Sequence, residues 1–256
     1  MKPYNKSIEL FGISATGKSY IREKILKKLS QNGYEIYGVR ELIIKHVDEF
    51  IDLSFYQKIK IFYFKILLFF NIKTSLWNTD LNKIYNIFSK KYKKKFKKYE
   101  KLINYIFINQ KIPELKHYSI WFNELLIAYI LFEKISKIHK KKIFFPDEGF
   151  VQKIFILAYI TNNFNLKKIH KYLQIIYRNK TLINIVSSFK EINKRMLNRK
   201  KTNKGWIASK KQLLNMKKIE KIINKKRDQF NIFYINNNNN INFEIIKILN
   251  EVGLNK

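Results

Sequence analysis

The sequence predicts an α/β fold in which helices cover both faces of a mostly parallel sheet. Short apolar runs of strand length lie towards both ends of the chain, and most are followed by residues with the spacing of an amphipathic helix. Strands that alternate with helices pair in parallel, because each helix returns the chain to the same end of the sheet. The predicted strands are residues 8–11, 34–39, 143–146, 182–186 and 232–235.

The first strand runs into Gly-Ile-Ser-Ala-Thr-Gly-Lys-Ser and then into a helical pattern. Gly-x-x-x-x-Gly-Lys-Ser between a strand and a helix is typical of a phosphate-binding loop, because glycines let consecutive amides point at phosphate oxygens. We expect Lys18 to reach the β- and γ-phosphates of ATP and Ser19 to bind Mg²⁺. The alternative is a glycine turn without a ligand. The predicted nucleotide-binding residues are Gly12, Ser14, Ala15, Thr16, Gly17, Lys18 and Ser19.

Residues 42–140 have no strand pattern. Apolar residues recur there at three- and four-residue spacing, which predicts a helical insert within a core of residues 1–41 and 141–256. The strongly basic stretch at 90–101 is predicted to be a solvated helix or a frayed connection.

Carboxylates follow two of the predicted strands. Asp147 and Glu148 come directly after the third strand, where a carboxylate can hold Mg²⁺ or take the proton of an attacking hydroxyl. We predict Asp147 as a metal ligand together with Ser19, and both acidic residues as catalytic; the alternative is a helix cap. Glu41, after the second strand, is another candidate base, although a glutamate there also suits the start of a helix.

Two arginines lie late in the chain. Arg195 and Arg199 are four residues apart and therefore share one helix face. Arginines that close over a transferred phosphoryl group stabilise its charge, so we predict a lid-like segment at 190–206. The alternative is a solvated basic face.

The formal net charge of +33 would attract polyanions. Arginine is rare among the 52 Lys and Arg residues, however, and the abundance of Lys, Asn, Ile, Phe and Tyr is what AT-rich codons encode. A nucleic-acid partner is therefore left open but not favoured, since arginine reads phosphates and bases best.

The sequence has no cysteine, no secretory signal and no apolar stretch of spanning length, which favours a cytoplasmic protein. Peripheral membrane contact and the oligomeric state are left open.

The order of these motifs resembles the P-loop nucleoside and nucleotide kinases, especially thymidylate kinase and the deoxynucleoside kinases. The resemblance covers roughly the first 41 and the last 115 residues. It implies a P-loop NTPase three-layer sandwich with a five-stranded, mostly parallel sheet, ATP and Mg²⁺ as cofactors, and residues 42–140 as the acceptor-binding region. The motifs that carry it are residues 12–19, Arg40-Glu41, Asp147-Glu148 and the arginines at 195 and 199.

This sequence departs from that family at the acceptor side. Leu42 follows Arg40-Glu41 where proline is common, and Asp147-Glu148-Gly149 stands in place of an Asp-Arg or Glu-Arg pair. A nucleoside pocket built on base stacking is therefore not supported.

The leading hypothesis is an ATP-dependent kinase that phosphorylates a hydroxyl or phosphate group of a small-molecule acceptor, such as a nucleotide or a sugar. A nucleotide-hydrolysing switch or motor ATPase is the second hypothesis. A polyanion-binding protein or a P-loop sulfotransferase is the third.

Overall fold

The chain divides into two compact units. The core unit consists of Met1–Ile36 and Lys141–Lys256, and the helical unit of Tyr37–Lys140. In the regions 78–82, 114–120 and 156–160 only the backbone is described. The computed structural model describes residues 7–70, 78–94, 96–97, 114–138, 141–160, 172–173, 180–202, 207–225 and 232–255.

Strands and helices alternate in the core unit, whereas the helical unit is built from consecutive helices. In chain order the described elements are β1 Ile8–Phe11, α1 Lys18–Gln31, β2 Glu35–Tyr37, α2 Val39–Phe50, α3 Phe55–Phe69, α4 Asn78–Lys91, α5 Glu114–Ile138, β3 Lys142–Phe144, α6 Phe150–Ile160, β4 Thr181–Val186, α7 Phe189–Thr202, α8 Lys210–Asn224, β5 Ile232–Asn236 and α9 Ile241–Glu251.

The main sheet of the core unit has the strand order β1-β4-β5, and both pairings are parallel. Ile8 lies opposite Thr181 in the first pairing, and Leu182 lies opposite Ile232 in the second. Because the strands are parallel, their carboxyl ends meet at one edge of the sheet, where ligands bind in folds of this class.

One face of this sheet is apolar. Side chains of a strand alternate between faces, so every second residue contributes to it. This apolar face combines Ile8, Leu10, Ile183, Ile185 and Ile235 of the strands with Ile21, Ile25, Leu29, Ile245, Ile248 and Leu249 of α1 and α9.

The opposite face of the sheet contacts α6 and α8. It contains Phe11, whose ring centroid lies 6.0 Å from that of Phe155.

A buried ion pair lies on the α6 side of the sheet. Glu9 of β1 is fully buried, and its carboxylate accepts a hydrogen bond from Lys180 Nζ at 2.7 Å. The same carboxylate accepts one from the backbone N–H of Val151 at 3.1 Å, and the Lys180 ammonium lies 4.4 Å from the Phe150 ring centroid. Glu9 therefore fixes the first turn of α6 against the sheet.

In the helical unit α5 is the central element, because both α2 and α4 pack against it. Its buried residues include Phe122, Leu125, Leu131 and Phe132. α3 packs against α2. None of the helices in the described part of the chain combines the length and the apolar character that crossing a bilayer requires.

The prediction of one five-stranded sheet is wrong in its strand count. β2 and β3 form a separate two-stranded sheet, and a single parallel bridge between Ser7 and Phe144 lies between the two sheets. β3 is only three residues long, and Pro146 just after it has no N–H with which to extend the pairing.

The second strand also ends earlier than predicted. It ends at Tyr37, and Gly38 is the N-cap of α2, so Arg40 and Glu41 lie in a helix rather than at a strand end. The sequence also predicts a helix at 166–176 and a helix break near Gly205; of these residues the structure describes only 172–173.

Candidate phosphate-binding site

The loop after β1 has the backbone conformation that its glycines permit. Gly12, Ala15 and Gly17 have φ angles of 147°, 65° and 97°. A Cβ atom on Gly12 would lie 2.5 Å from the backbone oxygen of Ile185, which is far inside van der Waals contact. A residue with a side chain is therefore excluded at this position by both its conformation and its surroundings.

The N-terminus of α1 carries no capping side chain. Its N-cap is Gly17, and its first turn contains no acidic residue. By contrast, α3, α8 and α9 begin at Ser54, Ser209 and Asn240, whose side chains accept hydrogen bonds from the first turn. The first amides of a helix and its dipole attract anions, so this end of α1 suits a phosphate.

Lys18 folds back over the loop. Its Nζ donates to the backbone oxygens of Gly12 at 3.0 Å and Ile13 at 2.9 Å. Burial lowers the pKa of Lys18 from 10.5 to about 8; Arg199 acts in the same direction, and Glu148 and Glu220 oppose it. The Lys18 ammonium group thus loses hydration inside the loop. A phosphate would compensate for this loss by providing a negatively charged partner.

The two late arginines reach the loop from α7. Arg195 Nη1 donates to the backbone oxygen of Ala15 at 3.2 Å, and Arg199 Nη1 donates to Ser14 Oγ at 3.4 Å. Two guanidinium groups therefore lie beside the same loop as the Lys18 ammonium. Residues 203–206 of the predicted lid lie outside the described residues.

Three uncharged side chains fix the shape of the loop. Gln152 of α6 accepts from the backbone N–H of Gly12 at 3.1 Å, and Asn237 after β5 donates to the backbone oxygen of Thr16 at 2.6 Å. The Thr16 hydroxyl, buried within the loop, donates to the Ile13 oxygen at 3.0 Å. Neither Gln152 nor Asn237 was predicted as a site residue.

The predicted carboxylates lie in the turn between β3 and α6, and each is paired with a cation. Asp147 is exposed and accepts from Arg22 of α1 at 2.7 Å, and Glu148 accepts from Lys153 at 2.8 Å. Arg22 also donates to the backbone oxygen of Phe145 at 3.1 Å. This turn is thereby tied to the second turn of α1, close in sequence to Ser19.

The oxygen donors near the loop are of the kind that Mg²⁺ prefers. Ser19 is exposed at the start of α1, and Asp147 and Glu148 offer partly or fully exposed carboxylates. Mg²⁺ usually takes one or two protein oxygens together with substrate phosphates and water, so no larger cluster is needed. The described residues contain no group of three or more His, Cys, Asp or Glu side chains that could hold a metal ion.

Glu41 belongs to the helical unit, where it lies in the first turn of α2. Its carboxylate accepts from Lys45 at 2.9 Å, one turn later on the same helix. A glutamate in this place stabilises the helix N-terminus. Its role as a base stays a prediction.

A polar cluster lies under the loop, on the α8 side of the sheet. Asn184 of β4 is fully buried, and its Nδ2 donates to Glu220 at 3.2 Å and to Asn224 at 3.4 Å. Tyr234 of β5 also donates to Asn224, at 3.1 Å. Burial raises the pKa of Glu220, against the opposing effects of the hydrogen bond from Asn184 and of the charges on Lys217 and Lys18.

The sequence contains only faint signals for these additional residues. Asn184 is an isolated polar residue in an otherwise apolar strand, which is a recognisable anomaly. Asn237 lies in an asparagine run that composition alone marks as a loop. Gln152 and Glu220 carry no local signal, since each contacts a residue far away in the chain.

No family model and no curated protein matches this sequence. Among solved structures, deoxyadenosine kinase from M. mycoides with bound dATP matches with a TM-score of 0.42 and 18% identity, over 96% of this chain and 98% of that one. The same enzyme with bound dCTP matches with a TM-score of 0.43 and 16% identity over the same shares. Similarity at this level does not show that this chain shares the activity.

Proposed function

We propose that this protein is an ATP-dependent phosphotransferase that transfers the γ-phosphoryl group to a small-molecule acceptor. The observation that carries the proposal is the convergence of Lys18, Arg195 and Arg199 on a glycine loop that precedes an uncapped helix. Phosphoryl transfer needs little covalent chemistry from the protein, and its catalysis depends on positioning and on positive charge around the moving group.

The residues around the loop have different roles in the proposed reaction. The loop amides and Lys18 bind the β- and γ-phosphates, while Arg195 and Arg199 stabilise the charge on the transferred group and help to exclude water. An acceptor oxygen forms a bond to the γ-phosphorus as the bond to the β–γ bridging oxygen breaks, and ADP leaves.

The acceptor proton, where the acceptor is a hydroxyl, passes to a carboxylate. Asp147, Glu148 and Glu41 are the candidates, and the choice among them is open. Mg²⁺, held by Ser19 and Asp147 together with the phosphates, would neutralise phosphate charge. The acceptor is a nucleotide, a sugar or another small molecule, and the helical unit is the proposed region that binds it.

The competing hypotheses use the same loop differently. A switch or motor ATPase would direct Glu148 at water, and a sulfotransferase or polyanion-binding protein would bind a different anion in the loop. The two arginines beside the loop favour a kinase, because they can stabilise a phosphoryl group while water is kept out.

ATP consumption with and without candidate acceptors tests the proposal. Nucleosides, nucleotides and sugars should be screened with Mg²⁺, and one of them is expected to stimulate ATP turnover strongly while itself becoming phosphorylated. Turnover that only nucleic acid stimulates, or a protein that does not bind ATP, would refute it.

Lys18→Ala is the matched active-site variant, and Lys27→Ala is its control. Both lysines lie on α1, but Lys27 is exposed to solvent, nine residues after Lys18. We expect Lys18→Ala to abolish acceptor phosphorylation with the fold intact, and Lys27→Ala to retain it. Retained activity in Lys18→Ala would remove the loop from the mechanism.

A further inference from the structure

The outer side of α3 is a continuous apolar surface. Five residues at alternating four- and three-residue spacing are exposed: Phe55 by 80%, Ile59 by 50%, Phe62 by 64%, Ile66 by 39% and Phe69 by 81%. At 100° per residue these positions fall within about 80° of arc, so they form one stripe along the helix. We call these five residues the α3 stripe.

Together with three neighbouring aromatic residues, the stripe forms an apolar face larger than an ordinary exposed patch. Tyr56, Tyr63 and Phe70 extend it and are also more than half exposed. An aromatic side chain has about 150–250 Å² of surface, so the whole face presents on the order of 800 Å² of mostly apolar area. The largest patch of a typical monomer is only about 300–600 Å².

The stripe is not what attaches α3 to its own unit. Ile61 and Phe64, on the opposite side of the helix, are buried, and α3 packs against α2. The helix also begins with a complete capping box formed by Ser54 and Gln57. Within the described part of the chain the stripe stays exposed, so it is available to an external surface.

Lysines border the stripe on both sides. Lys58 and Lys65 lie along one edge, and Lys60 lies beyond the tyrosines on the other edge, 4.7 Å from the Tyr56 ring centroid. Lys65 is paired with Asp48 at 2.7 Å. An aromatic and aliphatic stripe between lysines is the pattern of a helix that lies in the plane of a membrane surface, where long lysine side chains extend to the headgroups.

We infer that α3 is an interfacial helix that seats the helical unit on an anionic lipid membrane. Phe and Ile side chains enter the boundary between headgroups and acyl chains, the tyrosines lie at headgroup level, and Lys58 and Lys60 contact lipid phosphates. The net charge of +33 adds long-range attraction to the same surface. This inference is independent of the proposed phosphotransferase activity.

Charge and shape favour a membrane over a second copy of the chain or a nucleic acid as the partner of the α3 stripe. A second copy would bring the same lysine borders and the same net charge of +33 against itself, and this repulsion disfavours self-association. A single-stranded nucleic acid needs a basic groove with spaced rings for its bases, whereas the stripe is convex and interrupts its rings with Ile59 and Ile66.

Vesicle co-sedimentation of the full chain tests the inference. We expect binding to vesicles of equal parts phosphatidylcholine and phosphatidylglycerol, and little binding to phosphatidylcholine alone. Phe62→Ser combined with Phe69→Ser should lower the partition coefficient to anionic vesicles by about tenfold or more, since two aromatic side chains no longer leave water.

The control replaces two exposed apolar residues of the core unit, Leu214→Ser with Phe243→Ser, which are 48% and 67% exposed. This variant has the same charge and should bind like the original protein. Melting temperatures of both variants are expected to match that of the original protein, because the replaced side chains are exposed.

Three results would overturn the inference. The first is equal vesicle binding by both variants, which would mean that net charge alone attracts the protein. The second is the absence of binding to anionic vesicles. The third is a concentration-dependent dimer, or binding of an oligonucleotide, that the Phe62→Ser, Phe69→Ser variant loses, because the occupant would then be a second copy or a nucleic acid.

Discussion

Two opposing effects act on the charged form of Lys18 in the protein without ligand. Its ammonium donates to two loop carbonyl groups, yet burial lowers its pKa to about 8, so the folded state holds its proton less tightly than the unfolded chain does. The negative charge of a bound polyphosphate would raise the pKa of Lys18 again and so favour its protonated form. The same residue therefore links ligand binding, protonation and stability.

The first prediction is a pH-dependent stability difference between the original protein and Lys18→Met. The buried charge destabilises the fold below pH 8, and this penalty disappears as pH rises through the window from about 8 to 10.5. The stability of the original protein relative to the variant should therefore increase over that window, by up to about 3 kcal/mol. Urea unfolding at several pH values measures it, and a flat difference would contradict the burial of Lys18.

The second prediction contrasts two glycines with positive φ. A Cβ on Gly12 would meet the Ile185 backbone oxygen, whereas a Cβ on Gly33 would meet nothing within 4 Å. We expect Gly12→Ala to lower the free energy of unfolding by roughly 2 to 4 kcal/mol. Gly33→Ala should lower it by only about 1 kcal/mol, because it carries the backbone strain alone. Equal losses in urea unfolding would mean that the close approach at Gly12 relaxes easily.

At the scale of elements, the start of α6 depends on a buried charge pair. Glu9 holds both the Lys180 ammonium and the Val151 amide, and α6 carries the Asp147–Glu148 turn at its N-terminal side. The ion pair therefore positions the acidic turn as well as stabilising the sheet. Glu9 has this consequence because Lys180, just before β4, and the Val151 amide of α6 both donate to its carboxylate.

The third prediction concerns this pair. Lys180→Met removes the cation and leaves the Glu9 charge buried, so it should cost on the order of 3–5 kcal/mol of stability. Glu9→Gln combined with Lys180→Met should cost less than Lys180→Met alone, since no buried charge is then left over. A double-mutant cycle by urea unfolding measures the coupling. Additive effects would show that the two residues do not interact.

Elements whose signals are local could be predicted from the sequence. Gly12 to Ser19 is such a case, because the glycines, Lys18 and the helix that follows act within a few residues of one another. The helices of residues 42–140 follow from apolar spacing in the same way. Arg195 and Arg199 could be named as candidates, but their contacts with the loop could not, because these contacts join positions about 180 residues apart.

The features that escaped prediction depend on contacts between distant segments. Gln152 meets Gly12 across 140 residues, and nothing around Gln152 in the sequence marks it. The division into three and two strands depends on where the three-residue strands β2 and β3 stop pairing, which Gly38 and Pro146 influence but do not specify. Helix and strand propensities carry no information about such pairings.

At the scale of the whole molecule, lysine dominates the surface charge. The chain carries 52 Lys and Arg against 19 Asp and Glu, so the folded state concentrates repulsion that the expanded unfolded chain relieves. Even if every acidic residue were paired, as in Lys65–Asp48 and Lys153–Glu148, a net charge of +33 would remain.

The fourth prediction follows from that repulsion. Raising NaCl from about 0.05 to about 0.5 M screens it, so the melting temperature should rise by several degrees. An uncharged osmolyte at equal osmolality is the control, because it acts by exclusion from the surface rather than by screening. A melting temperature that falls with salt would mean that ion pairs outweigh the repulsion.

The pairing of β1 with β4 limits when the main sheet can form during synthesis. Ile8 cannot pair until Thr181 has been synthesised, and β4 cannot pair with β5 until Ile232 has been synthesised. At about 5–20 residues per second, β1 stays without its neighbour for on the order of ten seconds or more. Synthesis of the helical unit, which ends at Lys140, is complete before β4 begins at Thr181. The helical unit can therefore fold before the main sheet pairs, whereas the phosphate loop can gain its contacts with Arg195 and Asn237 only late in synthesis.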